Sequence, residues 1–463
     1  MALTADDRLF LKWIYQNIRD RPLDPGSRFY QPIYDNPLTD DPVSLVQSHI
    51  EFNEVESIQL FSGFRGSGKT TELFRLREQL RKNGYIVLYS DALDYINPAE
   101  PIDVSNLLIA LAGAFGEALK EQDVDVTGES YWIRLCNWLT KTEVDLNELG
   151  FKGEWENPLK EIVGGLKTGV DLKLALRTTP TFRQRLQSFL SGRLGELKAN
   201  VNKFVEDGVK AIRRKHGEAA KVVFLFDSLE QIRGSLSKEQ EVIHSVERLF
   251  TDHFRLLALP YIHAVYTVPP WLKFVIPNFD RIVIVPNVRQ WNNDVERTKC
   301  PAGWNALRDF IVKRFGDDGC RRFFGPLNAD GVYGGAEQLI GVCGGHFRDL
   351  LLLLRESVLR ADSLPVKEEV FEAAISSVRG NFLPIAIEDA RWLDQIGRLR
   401  SAALPSTKTD DINRLTRFLD TRFVLYLTNG KEWYDIHPLI RDEVANIVAG
   451  AAGHLLNDHG FTS

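Results

Sequence analysis

The chain has 463 residues, of which 44% are hydrophobic and 26% are charged, and its formal net charge is -6. This composition is that of an ordinary globular protein with about two to four domains. The mild acidity argues against a generally basic protein that coats nucleic acid. Four scattered cysteines without a CxxC pair predict reduced structural thiols rather than disulfides or a zinc site. Because the sequence shows neither a signal peptide nor an apolar run of about 18 residues, we expect a cytoplasmic protein without a membrane partner.

The first predicted element is a short helix over Asp7–Arg19. A stretch rich in proline and aspartate follows it, and this composition prevents long regular elements. Residues 1–50 are therefore predicted to form a separate N-terminal segment.

The most specific motif is GFRGSGKT, which fits the phosphate-binding pattern GxxxxGK[ST] without a mismatch. A buried strand predicted over Ile58–Phe61 precedes it, and a helix predicted over Thr71–Asn83 follows it. In this context the glycines bend the backbone so that amide hydrogens and the helix N-terminus converge on a polyphosphate. The motif predicts a site for ATP or ADP, formed by Gly63, Arg65, Gly66, Ser67, Gly68, Lys69, Thr70 and Thr71.

Within this motif, Lys69 is predicted to neutralise the β- and γ-phosphates, and the Thr70 hydroxyl is predicted to bind Mg²⁺. A segment that precedes such a loop often packs over the base of the nucleotide. Tyr30, Pro32 and Tyr34 would offer flat apolar surface for that purpose. The alternative is that these residues simply pack against the domain.

The following strands and helices alternate along the chain. A strand is predicted at residues 85–91, and further strands at 222–227, 261–268 and 281–285. Residues 121–220 have a helix-forming, charge-rich pattern that predicts a helical insertion. The alternation predicts the α/β class, with a three-layer P-loop NTPase core and a parallel sheet over residues 51–290.

The remaining residues predict two further domains. Residues 291–365 are predicted to form a helical lid, in which the segment GGHFRD, starting at Gly344, precedes a leucine-rich helix. In residues 366–463, helices are predicted at 367–378, 388–397 and 410–420, and a hairpin turns at Asn429-Gly430. Helices followed by a tight hairpin predict a winged-helix domain.

Two carboxylates are candidates for the chemistry. Asp227 ends an apolar strand and is predicted to hold Mg²⁺ through water, with a strand-end cap as the alternative. Glu230, three residues later, is a candidate for orienting or deprotonating the attacking water. Together with Lys69 and Arg281, these residues form the predicted catalytic set.

The loop, the carboxylate strand, the lid motif and the hairpin domain, in this order, resemble the AAA+ and STAND signalling ATPases, including the origin-recognition branch. The resemblance covers about residues 50–120 and 221–445. It implies an ATPase that uses Mg²⁺. By the same resemblance, Thr267 would sense the γ-phosphate, Arg281 would reach the nucleotide of a neighbouring subunit, and Arg348 would contact the nucleotide. For Arg281, a surface ion pair is the alternative.

In the STAND branch, the resemblance implies that Gly345 and His346 pack on the adenine. It also makes His437 a candidate nucleotide-state sensor that touches the β-phosphate of ADP. The sequence departs from that branch at two places. Pro269, two residues after Thr267, stands where that branch usually has an arginine. Pro438, directly after His437, stands where it has an acidic residue.

Three functions are compatible with these motifs. The first is a slowly hydrolysing nucleotide switch that forms a homo-oligomer or controls a partner effector; many bacterial ATPases that this chain resembles serve in antiphage defence. The second is a DNA-associated initiator or transposition regulator. The third, a metabolic kinase, does not explain the lid and the hairpin domain.

Residues 366–463 contain 11 Lys and Arg against 14 Asp and Glu. Because a phosphate-binding helix is normally basic, charge favours the switch over nucleic acid binding.

Overall fold

The computed structural model describes residues 3–33, 41–124, 131–135, 137–139, 169–233, 238–276, 282–402, 404–405 and 409–458. The chain forms two compact units. We call the first the lid unit; it comprises Met1–Val43, Gly63–Arg75 and Ile284–Ser463. We call the second the sheet unit; it comprises Ser44–Ser62 and Leu76–Val283.

The sheet unit is built on five strands, of which β1 and β5 end in residues of the lid unit. The sheet is parallel and has the order β2-β3-β4-β1-β5. The strands are β1 Ser57–Gly63, β2 Ile86–Asp91, β3 Val222–Asp227, β4 Ile262–Val268 and β5 Ile282–Val285. This arrangement confirms the predicted α/β class with a parallel sheet. It also places β4 between the strand that leads into the loop motif and the strand that ends in Asp227.

Strands β3 and β4 are central in this sheet, and every residue in both is buried. Such continuous burial is typical of parallel strands that are covered on both faces. The register of β2 and β3 pairs Asp91 with Asp227, so two carboxylates end adjacent strands. Burial raises the pKa of Asp91.

Helices cover the sheet and contribute to one apolar core. The Phe115 ring meets the rings of Phe204 and Phe224 edge-on, which joins two helices to β3. The helices that lie wholly or partly in the sheet unit are Pro42–Glu51, Lys69–Lys82, Val104–Glu121, Gly169–Thr178, Pro180–Leu190, Leu194–His216, Glu239–Thr251 and Leu272–Val275. Three of these helices lie within the predicted insertion, whereas residues 140–168 of that stretch lie outside the described residues.

The lid unit is mainly helical. Its helices are Ala5–Asn17, Pro301–Phe315, Asp317–Phe324, Gly334–Val342, Phe347–Arg360, Glu368–Gly380, Ile387–Leu399, Thr409–Asp420 and Arg441–Asp458. Its two strands, β6 Val424–Thr428 and β7 Glu432–Ile436, pair as an antiparallel hairpin. Gly430 has a φ of 82° in the connecting turn. The helices and the hairpin predicted for the C-terminal part are therefore present, with slightly shifted ends.

The cysteines follow the expectation of structural thiols wherever they are described. Cys300, Cys320 and Cys343 are buried and form no disulfide, and Cys136 lies outside the described residues. In the described part of the chain, no helix has the length and apolar character that crossing a membrane requires.

Candidate functional site

The phosphate-loop motif adopts a tightly curved backbone in the lid unit. Gly66 and Gly68 both have a φ of 94°, a region that residues with a Cβ atom rarely occupy. The Ser67 amide donates to the Phe64 carbonyl at 3.0 Å, which closes a turn between them. The helix that follows begins at Lys69, and we call it the loop helix (Lys69–Lys82). The curved loop therefore leads directly into a helix N-terminus.

The side chains of the loop suit an anionic ligand. Lys69 is buried, with 6% of its surface exposed, and a buried ammonium requires acceptors or opposite charge. Ser67 Oγ is buried and has no hydrogen-bond partner among the described residues. A Cβ atom at Gly63 would lie 3.0 Å from Ser67 Oγ, so this position leaves little room for a larger residue. Phosphate oxygens would accept from the Ser67 hydroxyl and from the helix N-terminus together.

Two residues of the lid motif bind the loop backbone from one side. His346 Nε2 lies 3.0 Å from the Arg65 carbonyl oxygen. The Arg348 amide donates to the Gly66 carbonyl at 3.3 Å. A Cβ atom at Gly66 would lie 2.6 Å from Arg348 Cβ, which again requires glycine in the loop. The lid therefore holds two successive carbonyl groups of the loop.

Arg348, the predicted nucleotide contact, lies beside the loop, but its side chain forms an ion pair with Asp20. Its Nε donates to Asp20 Oδ2 at 2.5 Å. Asp20 belongs to the N-terminal segment, and about a third of each side chain is exposed. A contact between Arg348 and a nucleotide stays a prediction, and it would compete with this ion pair.

The N-terminal segment contacts the first turn of the loop helix. The Leu23 amide donates to Thr71 Oγ1 at 3.1 Å. The Tyr30 hydroxyl lies 3.4 Å from Glu72 Oε1. Burial raises the pKa of the Glu72 carboxyl, although Arg75 opposes this shift. Packing of the segment on a base stays a prediction, and Tyr34 lies outside the described residues.

A buried polar cluster lies behind the loop and is centred on Asp349. Oxygen Oδ2 of Asp349 is 2.9 Å from His346 Nδ1, 3.2 Å from His437 Nε2 and 3.1 Å from Arg422 Nε. Burial acts to raise the pKa of Asp349, but His346 and His437 outweigh it and hold that pKa far below its ordinary value. Both histidines and Asp349 are fully buried. The cluster joins the lid motif to the C-terminal hairpin.

His437 has both ring nitrogens engaged within this cluster. Its Nδ1 accepts from the Leu439 amide at 3.2 Å, because the short turn after it begins with Pro438. Its Nε2 is directed at Asp349. Burial lowers the pKa of His437. The predicted contact with a β-phosphate stays a prediction, and it would require His437 to leave Asp349.

Gly345 and His346 were predicted to pack on an adenine, and the structure gives each of them other contacts. Gly345 has a φ of 68°, and a Cβ atom there would lie 1.8 Å from the Val288 carbonyl oxygen. The Val288 amide also donates to the Gly345 carbonyl at 3.0 Å. His346 is directed at the loop and at Asp349. The adenine contact of these two residues stays a prediction.

The predicted residues of the sheet unit cluster at the ends of β3 and β4. Asp227 is 1% exposed and accepts from the Ser228 amide at 2.7 Å and from the Tyr89 hydroxyl at 3.2 Å. Thr267 is fully buried, and its Oγ1 accepts from the Leu229 amide at 3.3 Å. The structure thus brings Thr267 to the turn that follows Asp227.

Glu230 lies in that same turn, within the short 3-10 helix Leu229–Gln231. Arg281 lies outside the described residues, so its role stays a prediction. The described residues contain no group of three His, Cys, Asp or Glu that could hold a metal ion. Hydroxyl and carboxylate oxygens are the ligand types that Mg²⁺ takes, so the roles of Thr70 and Asp227 as its ligands stay predictions.

The sequence interpretation gave no role to Asp349, Arg422, Asp20 or Tyr89. A local signal exists for Asp349 alone, because it stands three residues after His346 at the start of a helix, where such pairs meet. The other contacts join residues far apart along the chain. Sequence spacing gives no sign of them.

A scan against protein-family models found no match to this chain, and a search of curated proteins found none either. Among solved structures, the chain is similar to Cdc6p from Pyrobaculum aerophilum, at 10% identity and a TM-score of 0.36, covering 94% of this chain and 98% of that one. It is also similar to the Aeropyrum pernix ORC2 protein in its ADPNP-ADP complexes, at 12% identity and a TM-score of 0.38, covering 95% and 98%. The ADP form of that protein gives 13% identity and a TM-score of 0.38, covering 92% and 97%. Because the identities and TM-scores are low, the functional proposal rests on this chain's own residues.

Proposed function

We propose that this protein binds ATP or ADP at its phosphate loop and acts as a slowly hydrolysing regulatory ATPase, a switch whose state depends on the nucleotide. The observation that carries this proposal is the coupling of the loop to the lid motif. His346 and Arg348 hold two carbonyl groups of a complete phosphate-loop motif. Both His346 and His437, which follows the hairpin, contact the carboxylate of Asp349.

Five of the predicted site residues have the following roles in this proposal. Lys69 neutralises the phosphates, Thr70 and Asp227 are oxygen ligands for Mg²⁺, Glu230 orients water, and Thr267 responds to the γ-phosphate. When bound, Mg²⁺ supplies further neutralisation of phosphate charge. Since Glu230 is not directly adjacent to Asp227, hydrolysis is expected to be slow.

A nucleotide shifts a conformational equilibrium only as far as it binds one state better than the other. In this protein, the lid residues at the loop would provide that difference. We propose that residues 366–463 form a winged-helix domain that moves with the lid, and that the ATP form assembles with itself or with a partner effector. A role in antiphage defence stays an expectation from the resemblance.

The test is to purify the protein, to identify any bound nucleotide, and to measure its mass in solution with ADP and with a non-hydrolysable ATP analogue. We expect one adenine nucleotide per chain and a higher mass with the analogue. Absence of nucleotide, together with no thermal shift on addition of Mg²⁺ and ATP, would contradict the proposal.

Replacing His437 tests whether the hairpin responds to the nucleotide. His437→Ala removes the contact with Asp349, and we expect ADP to dissociate about tenfold faster, since a hydrogen bond to a charged group contributes about 1.5–3 kcal/mol. Stopped-flow measurement with a fluorescent ADP analogue provides the rate. The control is His244→Ala, because the His244 side chain is 71% exposed and lies in the sheet unit. A rate equal to that of the control would remove His437 from the mechanism.

The DNA-associated alternative makes a different prediction. In the helix Thr409–Asp420, Arg414 and Arg417 both bind Asp389, at 2.7 Å and 2.5 Å. Arg422, just after that helix, binds Asp349. Phosphate contacts would have to replace these ion pairs, so we expect no duplex binding at sub-micromolar protein in an electrophoretic shift assay. A shift that weakens steeply with added salt would instead support an initiator-type function.

A further inference from the structure

His346 is the one described lid side chain that bridges the phosphate loop and the buried carboxylate of Asp349. Its Nε2 lies 3.0 Å from the Arg65 carbonyl oxygen, and its Nδ1 lies 2.9 Å from Asp349 Oδ2. The imidazole is fully buried, so water does not compete for either nitrogen. The Nε2 contact has the length of a good hydrogen bond, and Nδ1 also accepts from the Asp349 amide at 3.4 Å.

The contact with Arg65 fixes which ring nitrogen carries a proton. A carbonyl oxygen is an acceptor, so Nε2 of His346 must carry a proton and donate to it. Nδ1 faces Asp349, whose amide donates to it and whose carboxylate lies beside it. The other polar groups at the cluster are Arg422 and His437.

The contact with Arg65 has a geometric consequence for the loop. A trans peptide is planar, so the carbonyl of Arg65 and the amide N–H of Gly66 point in opposite directions. Because His346 holds the carbonyl, the N–H of Gly66 is directed away from the lid motif. Loops of this motif bind phosphate through such backbone N–H groups.

We propose that His346 is a positioning residue: its Nε2 fixes the Arg65–Gly66 peptide in the phosphate-binding orientation, and through Asp349 it couples that peptide to His437 and Arg422 of the C-terminal segment. This inference rests on the proposed function, because the oriented N–H group is assigned to a nucleotide phosphate. It deepens that function by naming the side chains that connect the loop to the hairpin.

The coupling operates through Asp349 Oδ2, which is within hydrogen-bond distance of His346, His437 and Arg422. If the hairpin withdraws His437 and Arg422, His346 becomes the principal partner of the carboxylate, and its ring shifts relative to Arg65. The reverse also holds. A phosphate that binds the Gly66 N–H stabilises the position of the His346 ring in which Asp349 also contacts His437 and Arg422. Such coupling is reciprocal by thermodynamic necessity.

The first experiment tests the contact between His346 and Arg65 directly and needs no nucleotide. The chain has nine histidines, and long-range proton–nitrogen spectra of histidine-labelled protein show which ring nitrogen of each carries a proton. The His346 signals are those that disappear in His346→Gln. We expect Nε2 of His346 to carry a proton. An Nε2 without a proton would overturn the proposal.

The second experiment tests coupling to the nucleotide with two matched variants. Asp349→Asn removes the carboxylate that His346 needs, whereas Asp389→Asn removes a carboxylate that binds two arginines of the same unit. We expect ADP to dissociate about tenfold faster from Asp349→Asn and at the wild-type rate from Asp389→Asn. Equal rates in the two variants would overturn the coupling.

A third variant keeps the inference testable if Asp349→Asn does not fold. His346→Gln retains a donor for the Arg65 carbonyl but has no ring nitrogen to place beside Asp349. In this variant we expect the additional replacement His437→Ala to have no further effect on ADP dissociation, and a full additional effect would contradict the coupling. If the wild-type protein binds no nucleotide, the proposed function fails, while the spectra still decide whether His346 Nε2 carries the proton that it donates to Arg65.

Discussion

Lys69→Ala is expected to abolish the binding of ATP and ADP while the protein stays folded. The Lys69 ammonium is the one positive side chain that the loop motif assigns to the β- and γ-phosphates. A hydrogen bond between charged groups contributes about 1.5–3 kcal/mol, and two or more such bonds are lost together. We therefore expect the affinity to fall by at least about 100-fold, measured by isothermal titration calorimetry with ATP and Mg²⁺.

Lys82→Ala is the matched control, because Lys82 lies in the last turn of the same helix and is exposed. It removes the same charge from the chain and should leave the affinity unchanged. The melting temperature of Lys69→Ala should not fall, since the variant no longer buries an ammonium group. Wild-type affinity in Lys69→Ala would remove the loop from the nucleotide site.

Gly345→Ala is expected to have the largest effect on stability. The new Cβ atom would lie 1.8 Å from the Val288 carbonyl oxygen, and a backbone φ of 68° is itself unfavourable for alanine. Because the obstructing atom belongs to the backbone, the lid segment must move, and His346 and Arg348 would lose their positions on the loop. We expect a loss of about 4 kcal/mol or more of unfolding free energy, measured by chemical denaturation, and weaker nucleotide binding.

Gly430→Ala separates backbone strain from the steric clash. Gly430 has a φ of 82° in the hairpin turn, and a Cβ atom there would meet nothing within 4 Å. This control should lose only about 1–2 kcal/mol. Similar losses in the two variants would show that the contact between Gly345 and Val288 is unimportant for the lid.

The elements of the core were predictable because their signals are local. Strand β3 is a run of apolar residues that ends in Asp227, and such a run is typical of a buried parallel strand. The loop motif between Gly63 and Thr70 was recognisable for the same reason, since its glycines and its lysine stand at fixed spacing. In the loop, the structure adds the positive φ angles that those glycines were predicted to supply.

The partners of the site residues were not predictable in the same way. Arg348 was expected at the nucleotide, and the structure pairs it with Asp20, which is 328 residues away in the chain. The arginines near the Thr409–Asp420 helix are bound by Asp389 and Asp349. Such pairs depend on which helices pack together, and residue spacing along one segment carries no information about that packing.

The sequence by itself determined that this protein has a phosphate loop between a buried strand and a helix, and an α/β core with a carboxylate strand. Only the tertiary structure decided what the loop is connected to. His346 reaches Arg65 across 281 residues, and His437 reaches Asp349 across 88. Local patterns determine strands, turns and helix faces because neighbours along the chain set backbone angles and burial. A buried ionic cluster is assembled by folding, because its charges are stable without water only when distant residues bring compensating partners.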